Sequence, residues 1–144
     1  WGFKIIHLQR ENRLRRVISH LVMLRKLSLC GGDIHRTPPA LIQVEVDCAE
    51  VVGQIRADSR ADGVIESRLG QDNPNYLQIS YEELLRQRHV VLDRVARFIG
   101  LDRDVGGIEP DTLRQGIWPL EEVVTNYAEL RRELTRNDLH HYLD

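Results

Sequence analysis

The sequence has few of the features that mark secreted, membrane or metal-binding proteins. Its 144 residues include only two cysteines, Cys30 and Cys48, and no Cys-x-x-Cys pair or Cys/His cluster has the spacing of a zinc site. No apolar run approaches the about 20 residues of a membrane helix, and no signal-peptide pattern is visible. We therefore expect a cytoplasmic protein with free thiols, no metal and no membrane span.

The overall charge gives little information about a ligand. The formal net charge is -2, with 42% hydrophobic and 29% charged residues, which is the composition of an ordinary globular domain and not of a polyanion-binding protein. The distribution is uneven, however, because residues 1–26 hold seven Lys and Arg residues against the single acid Glu11. This asymmetry allows a local anion site that the net charge hides.

Hydrophobic periodicity predicts short strands that alternate with helices. The predicted strands lie at residues 3–8, mostly buried, and 76–80. The predicted helices run from near residue 11 to near 25, from 47 to 70, from about 89 to 99 and from near 119 onward, with irregular connections at 26–44 and 101–117. This order favours an α/β fold with a parallel pair of strands. Two strands make a thin sheet, so we expect further strands upstream.

The junction after the first strand has the pattern of an anion site. Ligands of open α/β sheets bind outside the carboxyl ends of the strands, and helix N-termini attract phosphate. Arg10 lies at this junction, and Ser19 follows about two and a half helical turns later. Both side chains reach one phosphate if the ligand lies along the helix. Alternatively, Arg10 is a local cap, Ser19 an ordinary helix residue and the other arginines a solvated face.

The run from Lys4 to Ser19 resembles the 3′-phosphate-binding segment of sulfotransferases that use 3′-phosphoadenosine 5′-phosphosulfate as sulfate donor. In that family the segment is a strand ending in arginine, followed by a helix that carries a serine eight or nine residues later. The resemblance implies that Arg10 and Ser19 contact the 3′-phosphate of the donor nucleotide.

Two later blocks are similar to the same family. Residues 79–85 and 91–101 look like its strand, tyrosine-containing turn and helix end, which implies that Tyr81 touches the adenine. Without the resemblance, Tyr81 is interpreted as a strand-end aromatic residue that packs on the core. Residues 112–130 are similar to the tail of bacterial-type members, which implies that Thr112 or Arg114 approaches the nucleotide. The alternative for this block is a surface loop.

The resemblance implies an incomplete P-loop-hydrolase-like, sulfotransferase-type three-layer fold, with residues 1–144 as the C-terminal part of a single domain. The family's phosphosulfate-binding loop and usual catalytic base lie upstream of such a segment, and Gly31-Gly32 lacks the flanking Lys-Ser/Thr. We therefore expect sulfuryl transfer to an acceptor hydroxyl or amine in the intact protein and an inactive chain in isolation. The catalytic residues and the acceptor are not specified by the sequence, and a homo-oligomer is left open.

A second hypothesis belongs to a different class. The arginine-rich helix at 10–25 would dock on nucleic acid or an acidic partner in a binding module without catalysis. Nucleic-acid binding would depend steeply on salt through many arginines. Nucleotide binding, which involves no nucleic acid, would depend on Arg10 and Ser19 and not on Arg13.

Overall fold

The computed structural model describes residues 3–30, 40–70, 72–101 and 118–143. It has the α/β character expected, with helices and a parallel pair of strands. The elements are β1 (Ile5–Gln9), α1 (Arg13–Cys30), α2 (Cys48–Leu69), β2 (Tyr76–Ser80), α3 (Tyr81–Arg86), α4 (Arg88–Ile99), α5 (Leu120–Val123), α6 (Tyr127–Arg136) and a 3₁₀ turn (His140–Tyr142).

The chain divides into two compact units. The sheet unit comprises Trp1–Glu11 and Ser59–Glu109, and the helical unit comprises Asn12–Asp58 and Pro110–Asp144. The boundary between Asp58 and Ser59 falls inside α2, so this helix contributes its first half to the helical unit and its second half to the sheet unit.

In the sheet unit, β1 and β2 pair in parallel, in register from Ile5 opposite Tyr76 to Gln9 opposite Ser80. The predicted parallel pairing is confirmed, and the bounds of β2 are those predicted. The expectation that the first strand is mostly buried is wrong, because Phe3 is 70% and Leu8 52% exposed. An apolar sequence favours burial, but a strand in a two-stranded sheet has a neighbour on one edge only.

A short helix that the sequence analysis missed follows β2 directly. The Ser80 hydroxyl oxygen accepts a hydrogen bond from the backbone N–H of Glu83 at 3.0 Å, which caps the first turn of α3. The next helix, α4, begins at Arg88, one residue before the predicted start, and ends as predicted at Ile99, with Gly100 as its C-cap. Gly100 has a left-handed backbone with φ of 82°, the conformation that glycine adopts most easily at a helix end.

The helical unit has a continuous apolar core. α1 contributes one apolar stripe to this core: Leu14, Val17 and Ile18 are buried, and Leu21 and Val22 pack against the core in part. The buried core residues are Leu14, Val17, Ile18, Val44, Val46, Val51, Val52, Ile55, Leu120, Val123, Val124, Leu130 and Leu134. The core therefore joins α1 and α2 to α5 and α6.

The predicted final helix is interrupted in the structure. Val124 forms a parallel bridge with Val44, in which the Val44 N–H donates to Val123 O at 2.9 Å and the Thr125 N–H donates to Val44 O at 3.0 Å. The side-chain amide of Asn126 adds a donor and an acceptor bond to the backbone of Val46, at 2.8 and 3.1 Å. The prediction of one helix from Pro119 is wrong because this pairing requires extended backbone at Val124.

The ends of the two long helices differ in how well the sequence predicts them. α1 continues to Cys30, beyond the predicted end near Arg25, since no glycine or proline interrupts it before Gly31. The predicted start of α2 is confirmed, because Asp47 Oδ1 accepts from the N–H groups of Ala49 and Glu50 at 2.9 and 3.0 Å. Within the described ranges, none of the helices is both long and apolar enough to cross a membrane.

Candidate functional site

The strand register brings two of the predicted site residues together. Parallel strands end at the same edge of a sheet, and Gln9 lies opposite Ser80. Arg10 and Tyr81 are the next residue of each strand, so both emerge at the carboxyl edge. The guanidinium carbon of Arg10 lies over the Tyr81 ring, 4.8 Å from its centroid. This is a cation–π contact at the edge where α/β sheets bind ligands.

An acid that the sequence analysis did not single out completes this edge. The Glu82 carboxylate lies 3.7 Å from Arg10 Nε through one oxygen and accepts the N–H of Glu11 at 2.9 Å through the other. The Arg10 and Glu82 side chains are 19% and 25% exposed, so the pair is partly shielded from water. The sequence signal that could have identified Glu82 is its position directly after Tyr81, because the residues that follow β2 lie at this edge of the sheet.

A second ion pair fixes the helix that carries Tyr81 and Glu82. Arg94 of α4 donates to both carboxylate oxygens of Glu83, at 2.8 and 2.7 Å. The side-chain hydrogen bond from Arg94 is the main cause that lowers the pKa of Glu83 below its ordinary value, against an opposing effect of burial. The paired charges hold α3 against α4, and the Arg94 guanidinium is committed to this role.

The geometry defines what the edge can bind. A guanidinium offers a planar set of donors that suits a phosphate, and an anion approaching Arg10 would have to exchange with Glu82. One face of the Tyr81 ring is taken by Arg10, so a planar base would use the opposite face or the ring edge. Arg10 and Tyr81 are both partly exposed, as a ligand contact requires.

The other predicted residues lie elsewhere in the chain. Ser19 is a half-buried residue of α1 and belongs to the helical unit, whereas Arg10 belongs to the sheet unit. Thr112 and Arg114 lie outside the described residues, as does the Gly31-Gly32 pair. The structure therefore brings Arg10 together with Tyr81 within the sheet unit.

Two arginines of α1 have side-chain partners within the helical unit. Arg13 donates to the Tyr142 hydroxyl at 3.1 Å, and Arg16 Nε donates to Asp58 at 2.7 Å. The first turn of the helix is capped by Asn12, whose side-chain oxygen accepts from the Arg15 N–H at 2.9 Å. These contacts give structural roles to part of the basic run that the sequence presents.

A hydrogen-bonded cluster occupies one face of the two strands. His7 Nδ1 lies 2.7 Å from the Tyr76 hydroxyl, and its Nε2 lies 3.7 Å from Asp62 of α2. Burial, followed by the nearby charges of Glu66 and Asp62, raises the pKa of Tyr76. The tyrosine therefore stays protonated, and the cluster links β1 and β2 to the second half of α2.

Potential metal ligands and thiols are the other chemically relevant groups among the residues described. In those ranges no group of three or more His, Cys, Asp or Glu side chains is arranged to hold a metal ion. Cys48 is a free thiol, and burial is the main cause that raises its pKa. Comparisons with protein-family models, with curated proteins and with solved structures give no match for this chain. The function is therefore inferred from the residues of the site.

Proposed function

We propose that the Arg10–Tyr81 edge binds the 3′-phosphate and the adenine of 3′-phosphoadenosine 5′-phosphosulfate, and that the chain is the nucleotide-gripping part of a sulfotransferase. The observation that supports this most is the 4.8 Å contact between Arg10 and Tyr81 at the carboxyl ends of two parallel strands. The guanidinium pairs with phosphate through charge-assisted hydrogen bonds, and the tyrosine ring gives a surface on which a base stacks.

Glu82 has a defined part in this proposal. While no nucleotide is bound, its carboxylate neutralises Arg10 and prevents an uncompensated charge at a partly buried position. A phosphate monoester carries more charge than a carboxylate and has three strong acceptor oxygens, so it competes for the guanidinium. Binding is then an exchange of anions at Arg10.

The same proposal includes a P-loop-hydrolase-like domain and the transfer of a sulfuryl group. Four apolar residues at β1 remain exposed, which supports a sheet covered by further strands of a P-loop-hydrolase-like domain. They are Phe3 at 70%, Ile5 at 37%, Ile6 at 40% and Leu8 at 52%. Transfer to an acceptor hydroxyl or amine also needs preorganised donors around the 5′-phosphosulfate. We propose that residues beyond these 144 contribute this cradle.

A titration with two nucleotides tests the site. 3′-Phosphoadenosine 5′-phosphate carries the 3′-phosphate, and adenosine 5′-monophosphate is its matched ligand without that group. Arg10→Ala should weaken the first by roughly 1.5–3 kcal/mol, the usual cost of a hydrogen bond to a charged group, and should leave the second nearly unchanged. Isothermal titration calorimetry on the 144-residue chain measures both affinities.

Matched variants separate this role from general charge and folding effects. Arg97→Ala removes an arginine that is 75% exposed and pairs with Asp93 on α4, so it should leave the discrimination between the nucleotides intact. Tyr81→Phe should keep the affinity for both nucleotides, whereas Tyr81→Ala should weaken both by about 1–3 kcal/mol through lost stacking. If the wild-type chain and Arg10→Ala discriminate equally between the two nucleotides, Arg10 does not contact the 3′-phosphate.

A further inference from the structure

The helical unit contains a groove that is lined by residues of this unit alone. It lies between the middle of α1, the first half of α2 and the segment at residues 45–47, and it encloses a cavity of about 430 Å³. Sites for small molecules usually have volumes of about 300–1,000 Å³. The groove is therefore large enough for a small organic ligand.

The floor and one wall of the groove are apolar. Val17, Val46 and Val51 line it and are 7%, 6% and 2% exposed, so they form a fixed floor that belongs to the core. Leu21 and Leu24 of α1 continue the apolar surface toward solvent, and Leu24 remains 48% exposed. A ligand with a hydrocarbon body would remove this surface from water and gain stability by doing so.

The rim of the groove carries excess negative charge. Glu45, Asp47 and Glu50 line it, and Asp47 is already engaged with backbone N–H groups at the start of α2. The carboxylates of Glu45 and Glu50 have no hydrogen-bond or ion-pair partner among the described residues. The positive charge of Arg16 at the same rim is offset by its pairing with Asp58, through Nε at 2.7 Å.

We propose that this groove binds a small amphipathic ammonium ion. The hydrocarbon part lies on the valine and leucine surface, and the protonated amine lies at the rim between Glu45 and Glu50. A neutral ligand would gain the apolar contact alone, and an anionic ligand would be repelled by the rim. Charge complementarity thus selects amines from among ligands of equal size. This inference does not depend on the nucleotide site.

Three probes with the same hydrocarbon body test the charge selection: hexylammonium, hexanol and hexanoate. Chemical-shift titration of the backbone amides in the 144-residue chain measures their dissociation constants and locates the response. Hexylammonium should bind with shifts centred on residues 17–24 and 45–54, and hexanoate should bind most weakly. Added sodium chloride should weaken hexylammonium without changing hexanol, because salt screens exposed charges.

Single variants test the rim and the wall separately. Glu45→Gln and Glu50→Gln should each weaken hexylammonium about two- to fivefold, the range that an exposed ion pair contributes, and leave hexanol unchanged. Leu24→Asn should weaken both probes. Glu121→Gln removes an exposed acid of α5 and serves as the control, with no expected change.

Two results would overturn the inference. One is equal affinity of the wild-type chain for hexylammonium and hexanol, which would reveal an apolar groove without charge selection. The other is an unchanged hexylammonium affinity when Glu45 and Glu50 are both replaced. Glu50 lies in the first turn of α2, where an acid stabilises the helix. Because the three-probe comparison uses the wild-type chain, it decides the question even if the double variant is too unstable to titrate.

Discussion

Glu82→Gln should increase the affinity for 3′-phosphoadenosine 5′-phosphate if Glu82 and the phosphate compete for Arg10. The substitution removes the competing charge but keeps a side-chain oxygen for the Glu11 N–H, which Glu82 now accepts at 2.9 Å. The local backbone geometry should therefore survive. This prediction has the opposite sign to the ordinary effect of a mutation in a binding site, which makes it informative.

The size of the gain follows from the geometry of the pair. Arg10 Nε and the Glu82 oxygen are 3.7 Å apart, and the side chains are 19% and 25% exposed. The pair is therefore more shielded than a typical surface ion pair but still in contact with water, and about 1 kcal/mol is a reasonable contribution. Removing that competition should tighten binding about fivefold. Adenosine 5′-monophosphate, without the 3′-phosphate, should bind as before.

A double-mutant cycle with Arg10→Ala decides whether the effect passes through Arg10. In the Arg10→Ala background, Glu82→Gln should no longer change the affinity, since no guanidinium remains for which the anions compete. Asp72→Asn removes an exposed acid of the turn before β2 and is the control for overall charge. The reasoning is refuted if Glu82→Gln leaves the affinity unchanged or lowers it, or if its gain persists without Arg10.

Three further predictions concern stability and activity. The hydrogen bond from Arg94 lowers the pKa of Glu83 from its ordinary 4.5, so the stability that this pair adds is present above that pH and is lost as the pH falls through the lowered value. Urea unfolding at several pH values should therefore show that the free energy of unfolding falls less steeply in acid for Glu83→Gln than for the wild-type chain. Parallel pH profiles of the two chains would contradict this prediction. Leu134→Ala, at a fully buried position, should lower the free energy of unfolding by about 2–5 kcal/mol, whereas Leu29→Ala, at a side chain 61% exposed, should change it by less than about 0.5 kcal/mol. The purified 144-residue chain should not transfer sulfate from labelled donor to phenols, sugars or amines, because its sequence lacks a Gly-rich segment with Lys-Ser/Thr; turnover abolished by Arg10→Ala would show the reverse.

Local signals predicted the sheet better than its surroundings. The bounds of β2 follow from the Asn-Pro-Asn turn before Tyr76 and the short apolar alternation after it, and parallel pairing follows from the intervening helix. The same reasoning missed α3, although Ser80 and Glu83 have the Ser-x-x-Glu spacing of a capping box. The family resemblance led to the prediction of a turn at these residues, although the capping-box spacing in the sequence indicates a helix start.

Contacts between distant residues account for the remaining errors. The break at Val124 depends on a bridge to Val44, eighty positions earlier in the chain, which no local pattern reveals. For the site, the register that joins Arg10 to Tyr81 follows once the two strands are paired with the correct ends opposite each other. The contact between Glu82 and Arg10 could be identified only from the side-chain positions, because the sequence does not show which partner an acid in this place has.

The core of the helical unit also sets the order in which the protein becomes stable during synthesis. Leu14 of α1 shares this core with Leu130 and Leu134 of α6, and the Asn12 amide donates to the Tyr142 carbonyl at 2.9 Å across 130 positions. While a ribosome is still translating residues 59–109, the apolar stripe of α1 lacks half of its packing partners. We therefore expect the nascent first helix to expose apolar surface until α6 has been made, and a chain truncated before α6 should be degraded.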